Sequence, residues 1–358
     1  MSSALMMFLL FFICGFGAMY VCFAPQARKY VQTLELKFYM LPVIYVWLFF
    51  ALGSIGAYLV LNNNDFIEPL TLWRVLLPLG LAIIIYVVSL VEDGIIFGLA
   101  VCGAVAVLVW AQPVGQGSPI PDLPVWSIRL GTIILGSIFC LYYKMMNSTT
   151  QAFVIPLLAI LFGIGVLGAL GAAPMFCAIA GAVLMGTLTA YLGINYFGPK
   201  IDLDSGACTV IAFLTFSLLM LNFGEFGFVP CASFTMIFWV ELASALWHKY
   251  MVTHAGSLME NSNYYLAATK YSHNVLALNI FKICGICVFL GWFQLFAANT
   301  FSLPLLAFLI ILWLNNSFGK SDIGEPKNLK EINRAFVADL KQNIEDAKEA
   351  LNIQKKDK

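Results

Sequence analysis

The sequence predicts an all-α fold, a polytopic helical membrane bundle with about eleven transmembrane helices, and three observations lead to it. The chain has 358 residues, of which 61% are hydrophobic and only 11% are charged, and its mean hydropathy is +0.89. A soluble domain averages about 25% charged residues. Long apolar runs recur along the chain, and each approaches the roughly 20 residues that a helix needs to cross the hydrocarbon. Runs of this length do not fit the short strands of a membrane barrel, which leaves helices as the spanning structure.

The charge balance excludes several classes of protein. Nineteen basic and nineteen acidic residues leave no net charge, so we expect no nucleic-acid partner, and the apolar content excludes a soluble enzyme. The charges are also unevenly placed, because residues 320–358 hold nine basic and eight acidic side chains while residues 1–319 hold ten and eleven. This division predicts a transmembrane domain over 1–319 and a cytoplasmic tail over 320–358.

Eleven segments meet or approach the length of a membrane span. They lie near 3–24, 39–60, 71–91, 95–112, 129–146, 152–171, 173–194, 206–223, 230–247, 275–296 and 299–317. The count of eleven takes each of the runs 152–194 and 275–317 as two helices, broken at Gly171–Pro174 and at Ala297–Ser302. A total of nine or ten spans is the alternative. Met1–Cys22 has no basic n-region and no evident cleavage site, and we therefore interpret it as a first span and not as a removed signal peptide.

The basic residues predict the orientation of the chain. An odd number of spans places the two termini on opposite sides of the membrane. With the N-terminus outside, the inside loops hold Arg28, Lys29, Lys37, Lys144, Lys200, Lys249 and Lys270, and the outside loops and span edges hold only Arg74 and Arg129. Positive charge marks the cytoplasmic side, so we predict an outside N-terminus and a cytoplasmic C-terminus.

The tail contains a predicted amphipathic helix over residues 328–352. Its apolar residues recur at spacings of three and four, at Leu329, Ile332, Phe336, Leu340, Ile344, Ala347 and Leu351, and mixed charges occupy the other face. Such a helix could lie on the membrane, pack against the cytoplasmic loops, bind a partner helix or stay solvated.

Two groups of acidic residues in the predicted inside loops are candidates for chemistry. Glu92 and Asp93 could bind Mg²⁺ or supply a base, because hard cations prefer carboxylate oxygens, although two acids also keep a short turn in water. Asp202 and Asp204 precede the eighth span, where a carboxylate faces the positive end of the helix dipole. The alternative is that Asp204 or Ser205 simply caps that helix.

Ionisable residues within the spans form a second group of candidates. Glu241 lies inside an apolar run, and an ionisable group in a span is a functional hypothesis by default. It could instead reach the interface or pair with His248 or Lys249 on the same helix, and Lys282 in the tenth span is another candidate partner. The chain has three histidines, His248, His254 and His273, and their spacing fits no zinc-binding pattern. Cys284 and Cys287 could suggest redox or metal chemistry, but we favour a role of these small residues in helix packing.

The order of the polar loops resembles that of the polyprenyl-phosphate N-acetylhexosamine-1-phosphate transferases. That family includes the undecaprenyl-phosphate GlcNAc-1-phosphate transferase and the phospho-N-acetylmuramoyl-pentapeptide transferase. The similar features are an acidic pair in the second inside loop, an asparagine at the start of the third, an Asp-x-Gly motif in the fourth, and a long fifth loop after an acid within a span. Here they are Glu92-Asp93, Asn147, Asp204-Ser205-Gly206 and Glu241, over about residues 8 to 316.

The resemblance implies a set of functional residues and substrates. Glu92, Asp93 and Asn147 would act in catalysis, and Asp204 would bind Mg²⁺. Asn261, Asn263 and Tyr264 stand where the family has a histidine cluster that contacts the nucleotide-sugar. The implied substrates are a polyprenyl phosphate and a UDP-sugar, in cell-envelope glycan synthesis at a bacterial inner membrane.

The departures from the family pattern determine the predicted function. Thr150 stands where the family has a metal-binding aspartate, and the histidine cluster has no equivalent. We therefore predict a divergent, catalytically impaired relative of enzymes that transfer an N-acetylhexosamine phosphate from a UDP-sugar to a polyprenyl phosphate. One alternative is a non-catalytic membrane scaffold or lipid-binding subunit, a pseudoenzyme that binds a protein partner through residues 247–273 or 328–352. A second is a small-solute transporter, suggested by Glu241 and Lys282 within spans.

Overall fold

A computed structural model describes most of the predicted membrane domain. The described residues are 2–33, 41–62, 72–91, 94–114, 124–143, 150–170, 174–197, 203–223, 232–254, 256–258, 260–264, 273–296 and 302–320. Over these ranges the chain forms helices joined by turns, with no β-strand. The prediction of an all-helical fold is therefore confirmed.

Eleven α-helices occur in the described ranges, and each overlaps one of the predicted apolar segments. They are α1 (Ser2–Thr33), α2 (Leu41–Asn62), α3 (Leu72–Ser89), α4 (Gly94–Ala111), α5 (Val125–Tyr143), α6 (Thr150–Ala169), α7 (Met175–Phe197), α8 (Ser205–Phe223), α9 (Met236–Trp247), α10 (His273–Phe296) and α11 (Ser302–Lys320). A π-helical turn, His248–Thr253, follows α9 directly.

Eight of these helices are long and apolar enough to cross a membrane, namely α1 to α5, α7, α8 and α10. The apolar stretches of α6 and α11 are shorter, Ala152–Gly168 and Pro304–Leu314. Helix α9 has 12 residues and extends about 18 Å at 1.5 Å per residue, which is less than the thickness of the hydrocarbon. The chain is thus an integral membrane protein by the length and composition of its helices, while eleven spans and the sidedness of the termini stay predictions.

The interior of the bundle is formed by α7 and α8. Every residue of α8 from 206 to 220 is buried, as expected of a helix that is apolar on all sides. Helix α7 packs against α1, α2 and α6, and α8 packs against α3 and α5. Helices α1 to α5 expose large apolar side chains, such as Ile13, Leu52, Ile84, Leu99 and Trp126, on surfaces that suit contact with lipid.

Two compact units are distinguished in the chain, Met1–Asn315 and Asn316–Lys358. The first holds α1 to α10 and the packing described above. The amphipathic helix predicted over 328–352 lies outside the described residues. It stays a prediction, as does the division into domains at residue 319.

Candidate functional site

Asp204 caps the N-terminus of α8. Its Oδ1 accepts a hydrogen bond from the backbone N–H of Ala207 at 2.5 Å, and its carbonyl oxygen accepts one from the N–H of Cys208 at 3.0 Å. An aspartate in this position satisfies a backbone donor that has no partner within the helix. The capping role considered from the sequence is therefore present, with Asp204 and not Ser205 as the capping residue.

The other carboxylate oxygen of Asp204 faces α3. The hydroxyl of Tyr86 donates a long hydrogen bond, 3.4 Å, to Oδ2. Ser89 lies one turn further along α3, and a Cβ atom added at Gly206 would overlap its side chain. Glycine thus permits α3 and α8 to approach closely here, and we call Tyr86, Ser89, Asp204 and Gly206 the α3–α8 junction.

Two of the other predicted catalytic residues, Glu92 and Asp93, follow α3 in the sequence. Glu92 and Asp93 come directly after the turn formed by Leu90 and Val91, which follows α3. They lie outside the described residues, as do Asn147 and Asp202. The structure thus places the end of the helix that leads to the acidic pair beside Asp204.

Asp204 suits a Mg²⁺ ion as one ligand among several. It is half-buried, and among the described residues its Oδ2 accepts only the long hydrogen bond from Tyr86, so this oxygen has capacity for a further contact. Within the described ranges no group of three or more His, Cys, Asp or Glu side chains could hold a metal ion. Mg²⁺ commonly takes one or two carboxylates and completes its shell with water and substrate phosphates, and the donor set fits that kind of site.

Glu241 is at the centre of a second polar cluster. Its side chain is 0% exposed, and Oε1 accepts hydrogen bonds from the hydroxyl of Ser262 at 2.6 Å and from the backbone N–H of Tyr264 at 3.1 Å. We call these three residues the Glu241 cluster. The two bonds attach the segment 260–264 to the middle of α9, so the long fifth loop returns to the helix that precedes it.

Two of the three residues predicted to contact the nucleotide are used within this segment. The amide oxygen of Asn261 accepts a hydrogen bond from the hydroxyl of Thr253 at 2.8 Å, and its amide nitrogen donates to the carbonyl of Ser257 at 2.8 Å. Tyr264 is 1% exposed, and burial, followed by the nearby Glu241 carboxyl, raises the pKa of its hydroxyl. Asn263 is half-buried, and the nucleotide-binding role of all three stays a prediction.

The chain reverses direction between α9 and the Glu241 cluster. His254 ends the π-helical turn in the left-handed region at φ 52°, and Gly256 follows at φ 79°. The conformation at residue 256 is one that glycine adopts without a steric cost. His248 begins the turn and is half-buried, and burial lowers its pKa.

Lys282, Cys284 and Cys287 are the remaining sequence candidates on α10, and they differ in burial. Lys282 is exposed while Glu241 is fully buried, so the structure gives no support to a pair between them. Cys284 and Cys287 are free and buried, as expected of residues that pack between helices.

Several residues of the α3–α8 junction and of the Glu241 cluster were not among the candidates from the sequence. Tyr86 and Ser89 are spaced three apart and so share a face of α3. Their position a few residues before the acidic pair in the sequence was a signal that could have identified them. Ser262 is 21 residues from Glu241 and carried no comparable signal.

Comparison with known proteins gives no assignment. No protein-family model matches the chain, and no curated protein matches it significantly. The α3–α8 junction and the Glu241 cluster are therefore the features from which a function can be inferred.

Proposed function

We propose that the protein is a divergent relative of the polyprenyl-phosphate sugar-1-phosphate transferases, with an impaired transfer reaction and a retained lipid-phosphate site at the α3–α8 junction. The observation that carries this proposal is the approach of Tyr86 to Asp204, residues that are 118 positions apart. The contact joins the aspartate of the Asp-x-Gly motif to the helix that leads directly to Glu92 and Asp93.

The chemistry of the junction supports binding of a phosphate with a divalent cation. Asp204 would hold Mg²⁺ together with substrate phosphate oxygens, and the ion would neutralise charge on the transferring phosphoryl group. The Tyr86 hydroxyl orients the carboxylate of Asp204. Thr150 is the first residue of α6 and supplies no carboxylate at the position of the family's third-loop aspartate, which accounts for impaired transfer.

The test is Mg²⁺-dependent exchange of labelled UMP into UDP-GlcNAc by the purified full chain with undecaprenyl phosphate. We expect slow exchange that Asp204→Asn abolishes, because asparagine caps a helix as well as aspartate does but does not supply an anionic metal ligand. Exchange that Asp204→Asn leaves unchanged would contradict the proposal.

A second candidate function is a non-catalytic, lipid-binding scaffold. The observation in its favour is that both oxygens of Asp204 already accept hydrogen bonds from the protein itself. In this case the chain retains polyprenyl phosphate without any exchange and engages a protein partner through residues 247–273 or 328–352. A folded sample that neither retains polyprenyl phosphate nor catalyses the exchange would exclude both the transferase and the scaffold.

The proposed setting is a bacterial inner membrane, with the α3–α8 junction at the cytoplasmic face. The apolar helices support the membrane position, and the excess of basic residues in alternate loops supports the orientation. In a variant whose nine native cysteines are replaced by serine or alanine, reaction of a cysteine introduced at Ser205, which is exposed, with a membrane-impermeant maleimide tests this sidedness. Labelling in inverted vesicles and not in intact cells is the expected result.

A further inference from the structure

Arg129 lies where α4 ends and α5 begins, and it contacts the end of α4 in two ways. It is the fifth residue of α5, and its Nε donates a hydrogen bond to the carbonyl oxygen of Val114 at 3.3 Å. Its guanidinium carbon lies 5.2 Å from the ring centroid of Trp110, the residue before the last of α4. This distance is within the range of a cation–π contact. A half-buried cation is thus placed at one end of the α4–α5 pair.

Two tryptophans with exposed rings accompany Arg129. Trp110 is 66% exposed and Trp126 is 65% exposed. Trp126 precedes Arg129 by three residues on α5 and so shares its face of the helix. Both α4 and α5 are long and apolar enough to cross a membrane, and each tryptophan is within two residues of a helix end. Tryptophan is enriched where membrane helices meet the headgroup layer, so this end of the pair suits the depth of the lipid headgroups.

The guanidinium of Arg129 retains hydrogen-bond donors for a ligand. Within the described part of the chain only its Nε donates, and the acceptor is a neutral carbonyl oxygen. The N–H groups of the two terminal nitrogens remain. They form a planar fork that matches two oxygens of a phosphate group, and phosphate is the anion that the headgroup layer supplies.

We propose that Arg129, together with Trp110 and Trp126, binds the phosphate of an anionic phospholipid from the surrounding leaflet. The guanidinium fork donates to the phosphate oxygens, and the exposed rings contact the glycerol backbone and the first carbons of the acyl chains. The positive charge of Arg129 favours a lipid with a net negative charge, such as phosphatidylglycerol, over phosphatidylcholine, whose choline group already balances its phosphate. The site involves no residue of the α3–α8 junction and does not depend on the proposed transfer reaction.

The test is thermal unfolding of the full chain in dodecyl maltoside, at fixed pH and ionic strength, with added dioleoylphosphatidylglycerol, dioleoylphosphatidylcholine or glycerol phosphate. A ligand that binds only the folded state raises the Tm with its concentration. We expect a larger rise with phosphatidylglycerol than with phosphatidylcholine, and no rise with glycerol phosphate. Equal rises with the two lipids would overturn the proposal, and this is the result expected if Arg129 instead pairs with Asp122, which lies outside the described residues. A rise with glycerol phosphate equal to that with phosphatidylglycerol would overturn the assignment to a lipid.

A matched pair of variants separates this site from a general attraction between charges. Arg129→Gln removes the guanidinium fork, and we expect the extra rise in Tm with phosphatidylglycerol to be lost. Arg74→Gln removes the same charge from α3, where Arg74 lies 5.7 Å from the ring of its neighbour Trp73, and we expect it to respond as the wild type does. An equal loss of the response in the two variants would overturn the proposal, as would a folded Arg129→Gln protein with an unchanged response.

Trp110→Leu tests the same site without a change of charge. The ring of Trp110 is largely exposed, so its replacement is compatible with folding even where Arg129→Gln is not. The variant loses the cation–π contact that positions the guanidinium, and we expect the half-saturating concentration of phosphatidylglycerol to rise about threefold. A half-saturating concentration equal to that of the wild type would overturn the proposal.

Discussion

Asp204 has two contacts with different consequences, one within α8 and one to α3. Its Oδ1 satisfies a backbone donor of α8, and its Oδ2 faces the hydroxyl of Tyr86. The first contact concerns the stability of the helix end. The second directs the other carboxylate oxygen towards α3, where the proposed phosphate site lies.

The capping contact gives a prediction about stability. Asp204→Ala removes the acceptor, and we expect it to lower the free energy of unfolding by about 1 kcal/mol, whereas Asp204→Asn retains a cap of similar strength. Thermal unfolding of the two variants in the same detergent measures the difference. Equal Tm values for alanine and asparagine would show that the cap makes no contribution.

His248 gives a prediction about pH. Burial lowers its pKa from the usual 6.5, so the folded chain keeps it neutral under conditions where the unfolded chain binds a proton. Stability is therefore lost as the pH falls below about 6.5, because protonation then favours the unfolded state. His248→Gln removes this group, and we expect its Tm to fall less than that of the wild type between pH values above and below 6.5.

A Tm that falls equally in the two proteins would mean that His248 makes no contribution to acid destabilisation. His254 provides the control, because it is exposed at the end of the same turn. We expect His254→Gln to behave as the wild type does.

At the scale of elements, the crossing of α1 and α7 depends on glycine. A Cβ atom at Gly186 would overlap the backbone oxygen of Phe12 and lie 2.9 Å from the nitrogen of Phe16, while a Cβ atom at Gly15 would meet the backbone of Val183. Close approach of two backbones at small residues is a common way for membrane helices to associate. Neither backbone can move without disturbing its own helix.

The prediction for this crossing uses two glycines of the same helix. Gly186→Ala forces α1 and α7 apart, and we expect a loss of about 1–3 kcal/mol, the usual cost of overpacking. Gly193→Ala, where a Cβ atom would meet nothing within 4 Å, is expected to be neutral or stabilising. Thermal unfolding compares them, and a Gly193→Ala protein that is as unstable as Gly186→Ala would contradict the packing argument.

The elements were largely predictable from the sequence because apolar length is a local property. The division of 152–194 into α6 and α7 followed from glycine and proline near 171–174, and the structure has separate helices there. The predicted ends of the helices were less accurate. Helix α9 begins at Met236 instead of near 230, after turns over Ala232–Thr235. Contacts such as Tyr86 with Asp204 and Ser262 with Glu241 depend on how distant segments pack, and no local pattern encoded them.

At the scale of the whole molecule, the described part of the unit Met1–Asn315 has a buried interior and an apolar exterior. Helices α7 and α8 occupy the interior, and the α3–α8 junction lies at one end of α8. In the proposed function, the phosphate group lies at a helix N-terminus, where the dipole favours negative charge, while the polyprenyl chain stays in contact with the apolar outer surface.

The measurement that tests this account most directly is binding of labelled undecaprenyl phosphate to the purified full chain, with Mg²⁺ and with EDTA. For the wild type we predict tighter binding in Mg²⁺, since the ion joins the lipid phosphate to Asp204. For Asp204→Asn, which preserves the helix cap, we predict equal binding in the two conditions. Wild-type binding that is the same in Mg²⁺ and EDTA, or that is absent from a folded sample, would contradict the assignment of a lipid-phosphate site to the α3–α8 junction.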